Sequence, residues 1–325
     1  MELSLRAMNI AKQSLLALVL FSFAACDKDD DNPPAANTIT DKVVADASFT
    51  LLEKAVIKAG LNGTLSGTGP FTVFAPNDAA FAASGVTSAG IDGLSADTLR
   101  KILLYHTVAA SIPASAVPAG PNAKVTTASS PADSIFVTKN SAGVFVNGIK
   151  VVAADVTADN GIIHVLEKVL IPARGSIVAT AQASLGGDNG LDSLVAAIVR
   201  VNASSAGFIN TLQSNILTVF APTNKAFRDL LTALSLSNIS QIPIATLQAV
   251  LTYHVKAGRA FSSDLANGNL AMLAGGSTTI NLTNGTGGGP TITGNGNAGA
   301  RSNILATNII ATNGVVHVID KVLLP

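Results

Sequence analysis

The stretch FTVFAPNDAAF at residues 71–81 returns 146 positions later as LTVFAPTNKAF at residues 217–227. Each copy opens on β-branched and aromatic residues that suit a strand, then meets a proline that withdraws a ladder donor. Asn77 or Asp78 in the first copy, and Thr223 or Asn224 in the second, supply a cap for a short helix. The phrase predicts a strand-to-helix corner with Phe81 and Phe227 as core anchors.

Two further pairs follow in the same order. TLRKILLYHTVAA from Thr98 returns as TLQAVLTYHVKAG from Thr246, and NGIIHVLEKVLIP ending at Pro172 returns as NGVVHVIDKVLLP ending at Pro325. A period near 150 positions is a domain length, far above that of a solenoid repeat. All four histidines and both tyrosines fall inside these phrases: Tyr105-His106 matches Tyr253-His254, and His164 matches His317. Whatever these residues do, each copy does it separately. The expected division is a first domain at 37–172, a linker at 173–176 and a second domain at 177–325, each folding on its own.

Within one copy, the apolar spacing of Val44, Phe49, Leu52 and Val56 before Gly60 predicts one or two helices. A helix capped by Ser95 is expected to run into a strand near Tyr105. From Lys124 onward the pattern is strands, with turns at 140–143, Asn147-Gly148 and Asn160-Gly161. Helices first and strands after predict an α+β fold. The Gly/Asn/Thr-rich stretch 275–300 of the second copy reads as a hairpin with a long tip or as a loop. Within it, GNGNAG at 294–299 mimics a dinucleotide fingerprint, but no helix pattern follows, so it reads as a loop.

Composition narrows the function. The chain has 325 residues, 48% hydrophobic and 12% charged, with 20 basic and 20 acidic residues. That balance excludes a basic nucleic-acid surface. Arg6 and Lys12 precede an apolar run of signal-peptide length, and Cys26, the lone cysteine, follows FAA. Residues 1–25 therefore read as a signal peptide resembling that of bacterial lipoproteins, with Cys26 as the lipidated residue. The acidic tether at 26–36 resembles the surface-export signal of Bacteroidetes lipoproteins. The expected location is an outer-membrane lipoprotein exposed at the surface; a periplasm-facing lipoprotein is the alternative.

The trio of TVFAPxxxAF, a helix ending in YH, and a terminal NGhhHVhxKVLxP (h apolar) resembles the fasciclin domain, twice over. The resemblance implies a β-wedge with helices packed along one edge, and a non-enzymatic role in adhesion or matrix contact. It also implies candidate adhesion residues Tyr105, His106, Tyr253 and His254, and a second segment at Asp155-Val156 and Asn308-Ile309. The extracellular partner is a protein or a glycan; a small apolar ligand belongs to the alternative reading.

The residues themselves point to little chemistry. If extended, Tyr105 and His106 face opposite sides of their strand and form no dyad. His164 and His317 stand in apolar strands, IIHVL and VVHVI, and are expected to fix packing through local hydrogen bonds. Neither copy clusters the three or four ligands zinc requires, and no nucleophile elbow is present. No cofactor and no metal are expected.

Overall fold

The computed structural model describes residues 37–129 and 133–325. The signal peptide, Cys26 and the tether lie outside the described residues. The first copy runs α1 (Ile39–Ala45), α2 (Thr50–Ala59), α3 (Asn62–Leu65), β1 (Phe71–Pro76), α4 (Asp78–Ala83), α5 (Ser88–Gly93) and α6 (Ala96–Tyr105). Then come β2 (Thr107–Val108), β3 (Gly120–Thr126), β4 (Ser134–Asn140), β5 (Gly143–Val146), β6 (Ile149–Ala158) and β7 (Gly161–Leu166). The second copy begins with α7 (Ile177–Gln182), α8 (Asp192–Ser204), α9 (Phe208–Ser214), β8 (Leu217–Pro222), α10 (Asn224–Ala233) and α11 (Ile244–Tyr253). It closes with β9 (Val255–Ala257), β10 (Gly268–Ala271), β11 (Ser277–Asn281), β12 (Thr291–Gly294), β13 (Ser302–Ala311) and β14 (Gly314–Ile319).

The fold is α+β, and each copy builds a seven-stranded sheet in equivalent order, β2-β1-β7-β6-β5-β4-β3 and β9-β8-β14-β13-β12-β11-β10. The opening phrase and the closing phrase are parallel neighbours: Phe71 pairs with Gly161 through to Pro76 with Leu166, and Leu217 with Gly314 through to Pro222 with Ile319. Every residue of β8 and β14 is buried, as parallel strands covered on both faces require. This explains their largely apolar sequence, interrupted only by the buried Thr218 and His317. A Cβ at Gly161 or Gly314 would strike the backbone carbonyl of Phe71 or Leu217, so only glycine lets the pair start in register.

The corner behaves as its sequence predicts. Asn77 and Thr223 cap α4 and α10, accepting hydrogen bonds from the amides of Ala80 and Ala226. The neighbouring Asp78 and Asn224 instead hold the starts of α2 and α8, accepting from the amides of Leu51 and Ser193. Phe81 and Phe227 are buried. The long tip at 275–300 is a hairpin of β11 and β12, and GNGNAG leads through a 3-10 turn into strand β13, not a helix.

One amide closes each copy. Asn160, in the turn before β7, accepts from the Ile39 amide at 2.9 Å and donates to the carbonyls of Leu65 and Gly67 at 2.8 and 2.7 Å. Asn313 repeats this with the Ile177 amide and the carbonyls of Leu212 and Asn215. The first helix, the segment leading into the first strand and the last hairpin thus share one side chain. Replacing Asn160 or Asn313 by Ala leaves three backbone groups unmet. Each variant should lose about 2–4 kcal/mol in urea unfolding, since an unmet buried group costs about 1–3 kcal/mol. A change below about 0.5 kcal/mol would contradict this closure.

Candidate functional site

Tyr105 and Tyr253 are the last residues of α6 and α11, and His106 and His254 are the helix caps. The extended segment expected at Tyr105 begins two residues later, at Thr107. The physical reason is a helical apolar pattern that continues through the tyrosine. Tyr105, His106, Tyr253 and His254 are between 0% and 2% exposed. These candidate adhesion side chains are therefore inside the molecule and form no contact surface.

Each histidine has a matched pair of partners. His106 Nδ1 donates to the Ile102 carbonyl at 2.8 Å, and its Nε2 accepts from the Leu170 amide at 2.9 Å. His254 donates to Val250 at 2.7 Å and accepts from Leu323 at 2.8 Å. A neutral imidazole has one donor and one acceptor, so each ring bridges a helix end to the closing segment with nothing left over. The tyrosines tie the same helices to the outer hairpins. Tyr105 donates to the Ser134 carbonyl and accepts from Asn147, while Tyr253 donates to Ser277 and accepts from the Asn295 amide.

His164 and His317 face the sheet's other partners. Each stacks on the phenylalanine opposite it in the parallel pair, Phe74 at 5.4 Å and Phe220 at 5.3 Å. Their Nε2 atoms donate to the carbonyls of Ile112 and Ala260. The copies then diverge: His164 Nδ1 accepts from the Asp155 amide, whereas the buried His317 Nδ1 has no partner. Among the described residues, no group of three or more His, Cys, Asp or Glu is placed to hold a metal ion.

The short linker at 173–176 implies that the copies touch, but sequence reasoning did not find the residues that make the seam. The described chain is one compact unit, Asn37–Pro325, and a small apolar cluster of Phe261, Ile310 and Val315 with Phe136 and Ala173 spans both copies. Arg259 lies over the Phe136 ring with its guanidinium carbon 4.1 Å from the centroid. The guanidinium is held there by donating to the carbonyls of Gly314 and Ala311. Thr138 donates to the Asp264 carboxylate at 2.9 Å, and Asn122 to the Arg259 carbonyl at 2.8 Å. Asn308 donates to the carbonyl of Gly148, whose φ of 75° and missing Cβ admit that approach.

A signal for this seam was present in the disagreements between the copies. Aligned on Tyr-His, the first copy has Ser111, Pro113 and Ala116 where the second has Arg259, Phe261 and Asp264. Aligned on the carbonyls bound by the tyrosines, Thr279 stands where Phe136 does. The copies also differ inside. Beneath α1 and α2 of the first copy lies a cavity of about 200 Å³ bordered by Val56, Leu103 and His106. Its counterpart, bordered by Ile198, Phe208, Leu251 and His254, measures about 20 Å³.

The fasciclin domain model matches residues 47–172 and 194–325. Protein sll1483 of Synechocystis sp. is 38% identical over 140 residues, which is 42% of this chain and 75% of that protein. The transforming growth factor-beta-induced protein ig-h3 of Sus scrofa is 34% identical over 139 residues, 43% of this chain and 20% of its own. A FAS1 domain pair from the insect cell adhesion molecule fasciclin I aligns over 88% of this chain and 96% of its own, with 18% identity and a TM-score of 0.40.

Burial pushes His106, His254 and His317 from 6.5 down to about 4, opposed by the hydrogen bond each makes to a carbonyl. In the unfolded chain these rings take a proton near 6.5; in the folded chain they do so only near 4. Their stabilisation is therefore complete above 6.5 and is lost as pH falls from 6.5 towards 4. At about 1.4 kcal/mol for each tenfold loss of proton affinity, each ring contributes up to about 3 kcal/mol. Urea midpoints should be level from pH 8 to 7 and fall steeply between pH 6.5 and 4.5. The lowered carboxylates Asp41, Asp46 and Asp192 act in a separate window below pH 4. A midpoint unchanged from pH 7.5 to 4.5 would contradict the buried neutral rings.

Proposed function

The chain belongs to the fasciclin-domain family, and from that premise we propose that it is a non-enzymatic adhesion protein, anchored in the outer membrane by a lipid on Cys26 and facing outward. Fasciclin domains occur in cell-adhesion proteins. The observation that carries the reading is the unequal exposure of one strand in the two copies. Asp155 of β6 and Asn308 of β13 occupy the same bulge, with φ of 58° and 62°. In the second copy this bulge grips a protein surface, because Asn308 bonds across the seam. In the first copy the bulge bonds only within its own copy, Asp155 accepting from the Ala114 amide. Residues 153–157 are exposed where 306–309 are half-buried and Ile310 is buried. Val156 is 38% exposed, and Val152 is 53% exposed much as its counterpart Leu305 is at 51%. The strand that meets protein through Asn308 and Ile310 in one copy faces outward in the other, where it is suited to dock on a second protein.

The histidines support the absence of catalysis. His106, His254 and His164 commit both ring nitrogens to backbone groups, which leaves none of them free to act as a base. The hollow of about 200 Å³ in the first copy favours a second reading, an envelope protein that binds a small apolar ligand.

The test measures binding of the purified protein to panels of matrix proteins and of polysaccharides, alongside proteolysis of intact cells. The parent should bind protein. The double variant Val152→Ser, Val156→Ser should bind about tenfold more weakly, equivalent to about 1.4 kcal/mol. Cys26→Ser should leave the membrane fraction or remain as uncleaved precursor. Binding to polysaccharide alone, or binding untouched by the double variant, would overturn the adhesive strip. Unaltered membrane association of Cys26→Ser would overturn the lipid anchor.

A further inference from the structure

A cleft of about 400 Å³ opens at the seam, bounded by Asn147, Ile149 and residues 168–172 of the first copy and by α7 and residues 307–310 of the second. It exists only because the copies are docked. Its volume lies in the range of small-molecule sites, which favour domain interfaces. Its apolar lining includes Ile149, Ile171, Ile309 and Ile310. Two cations, Lys168 and Arg174, border it, and no carboxylate does. Both are exposed, and neither forms an ion pair or side-chain hydrogen bond among the described residues. The counterpart of Lys168 in the second copy behaves otherwise, since Lys321 donates to the Arg301 carbonyl at 2.8 Å. The cleft also contains Thr180, whose buried hydroxyl has no hydrogen-bond partner.

We propose that this cleft binds a small organic carboxylate with an aliphatic body. The Arg174 fork accepts a carboxylate in two parallel hydrogen bonds, and Lys168 adds a second positive charge. The isoleucines favour a hydrocarbon portion, because burying apolar area is stabilising while a bare anion leaves that area wet. An aliphatic alcohol lacks the group that answers the cations, and a two-carbon acid lacks the body that covers the floor. The proposal is independent of the adhesive strip, which uses β6 residues outside this cleft.

The experiment titrates the compact unit Asn37–Pro325 with hexanoate, 1-hexanol and acetate, following backbone amide resonances by NMR. Hexanoate should shift the amides of Ile171, Ile309 and Ile310, with a Kd at least tenfold below those of hexanol and acetate. The double variant Lys168→Gln, Arg174→Gln should keep its melting temperature, because both side chains are exposed and unpaired. It should bind hexanoate at least tenfold more weakly. Arg174→Lys should fall between the two, since it keeps the charge and loses the fork. Equal affinity for hexanoate and hexanol would overturn the proposal. So would hexanoate binding unchanged in the double variant, shifts confined to the hollow around Val56 and Leu103, or no shifts at all.

Discussion

Everything in this fold hangs on a neutral imidazole used as a two-ended connector. His106 and His254 sit where a helix stops, a place that leaves carbonyls without partners. Each ring satisfies one such carbonyl and, on its far side, takes an amide from the segment that follows the last strand. The helical half and the strand half of each copy are thereby joined through a group with no spare valence. Protonation would turn the accepting nitrogen into a donor facing an N–H, so the joint works only while the ring is uncharged. Burial keeps it so.

The parts of the fold visible in the sequence are those under the strictest packing. The parallel pair of each sheet is fully buried in β8 and β14, nearly so in β1 and partly in β7, and its phrases recur nearly unchanged. The turn asparagines are legible as turn formers, but their second role as three-way amide partners depends on Leu65 and Leu212, which lie far away in sequence. The β-branched Thr107 and Val108 favour a strand at Tyr105 because they follow it so closely. The helix pattern wins there because Leu99, Leu103 and Tyr105 face the interior. That same inward direction is why the Tyr-His pair offers no contact surface.

The seam is hard to read because similarity between the copies is what the sequence makes prominent. Arg259, Phe261 and Asp264 stand out only where the repeat breaks. Since the first copy has Ser, Pro and Ala at these positions, and the second has Thr279 in place of Phe136, the contact cannot be repeated head to tail. The cavity difference is equally hidden, because volume follows from several modest exchanges such as Val56 against Ile198, none conspicuous alone.

The central claim is that the repeated Tyr-His pair belongs to the framework, with its ring neutral and enclosed. The most direct measurement is the pH dependence of the imidazole ¹⁵N resonances. His106 and His254 should show the Nδ1–H tautomer, and His164 and His317 the Nε2–H tautomer. The rings of His106, His254 and His317 should hold constant shifts from pH 8 to about 5. Rings of His106 and His254 that titrate near 6.5, or that show a mixture of tautomers at neutral pH, would mean that they are open to water and that the clip does not exist.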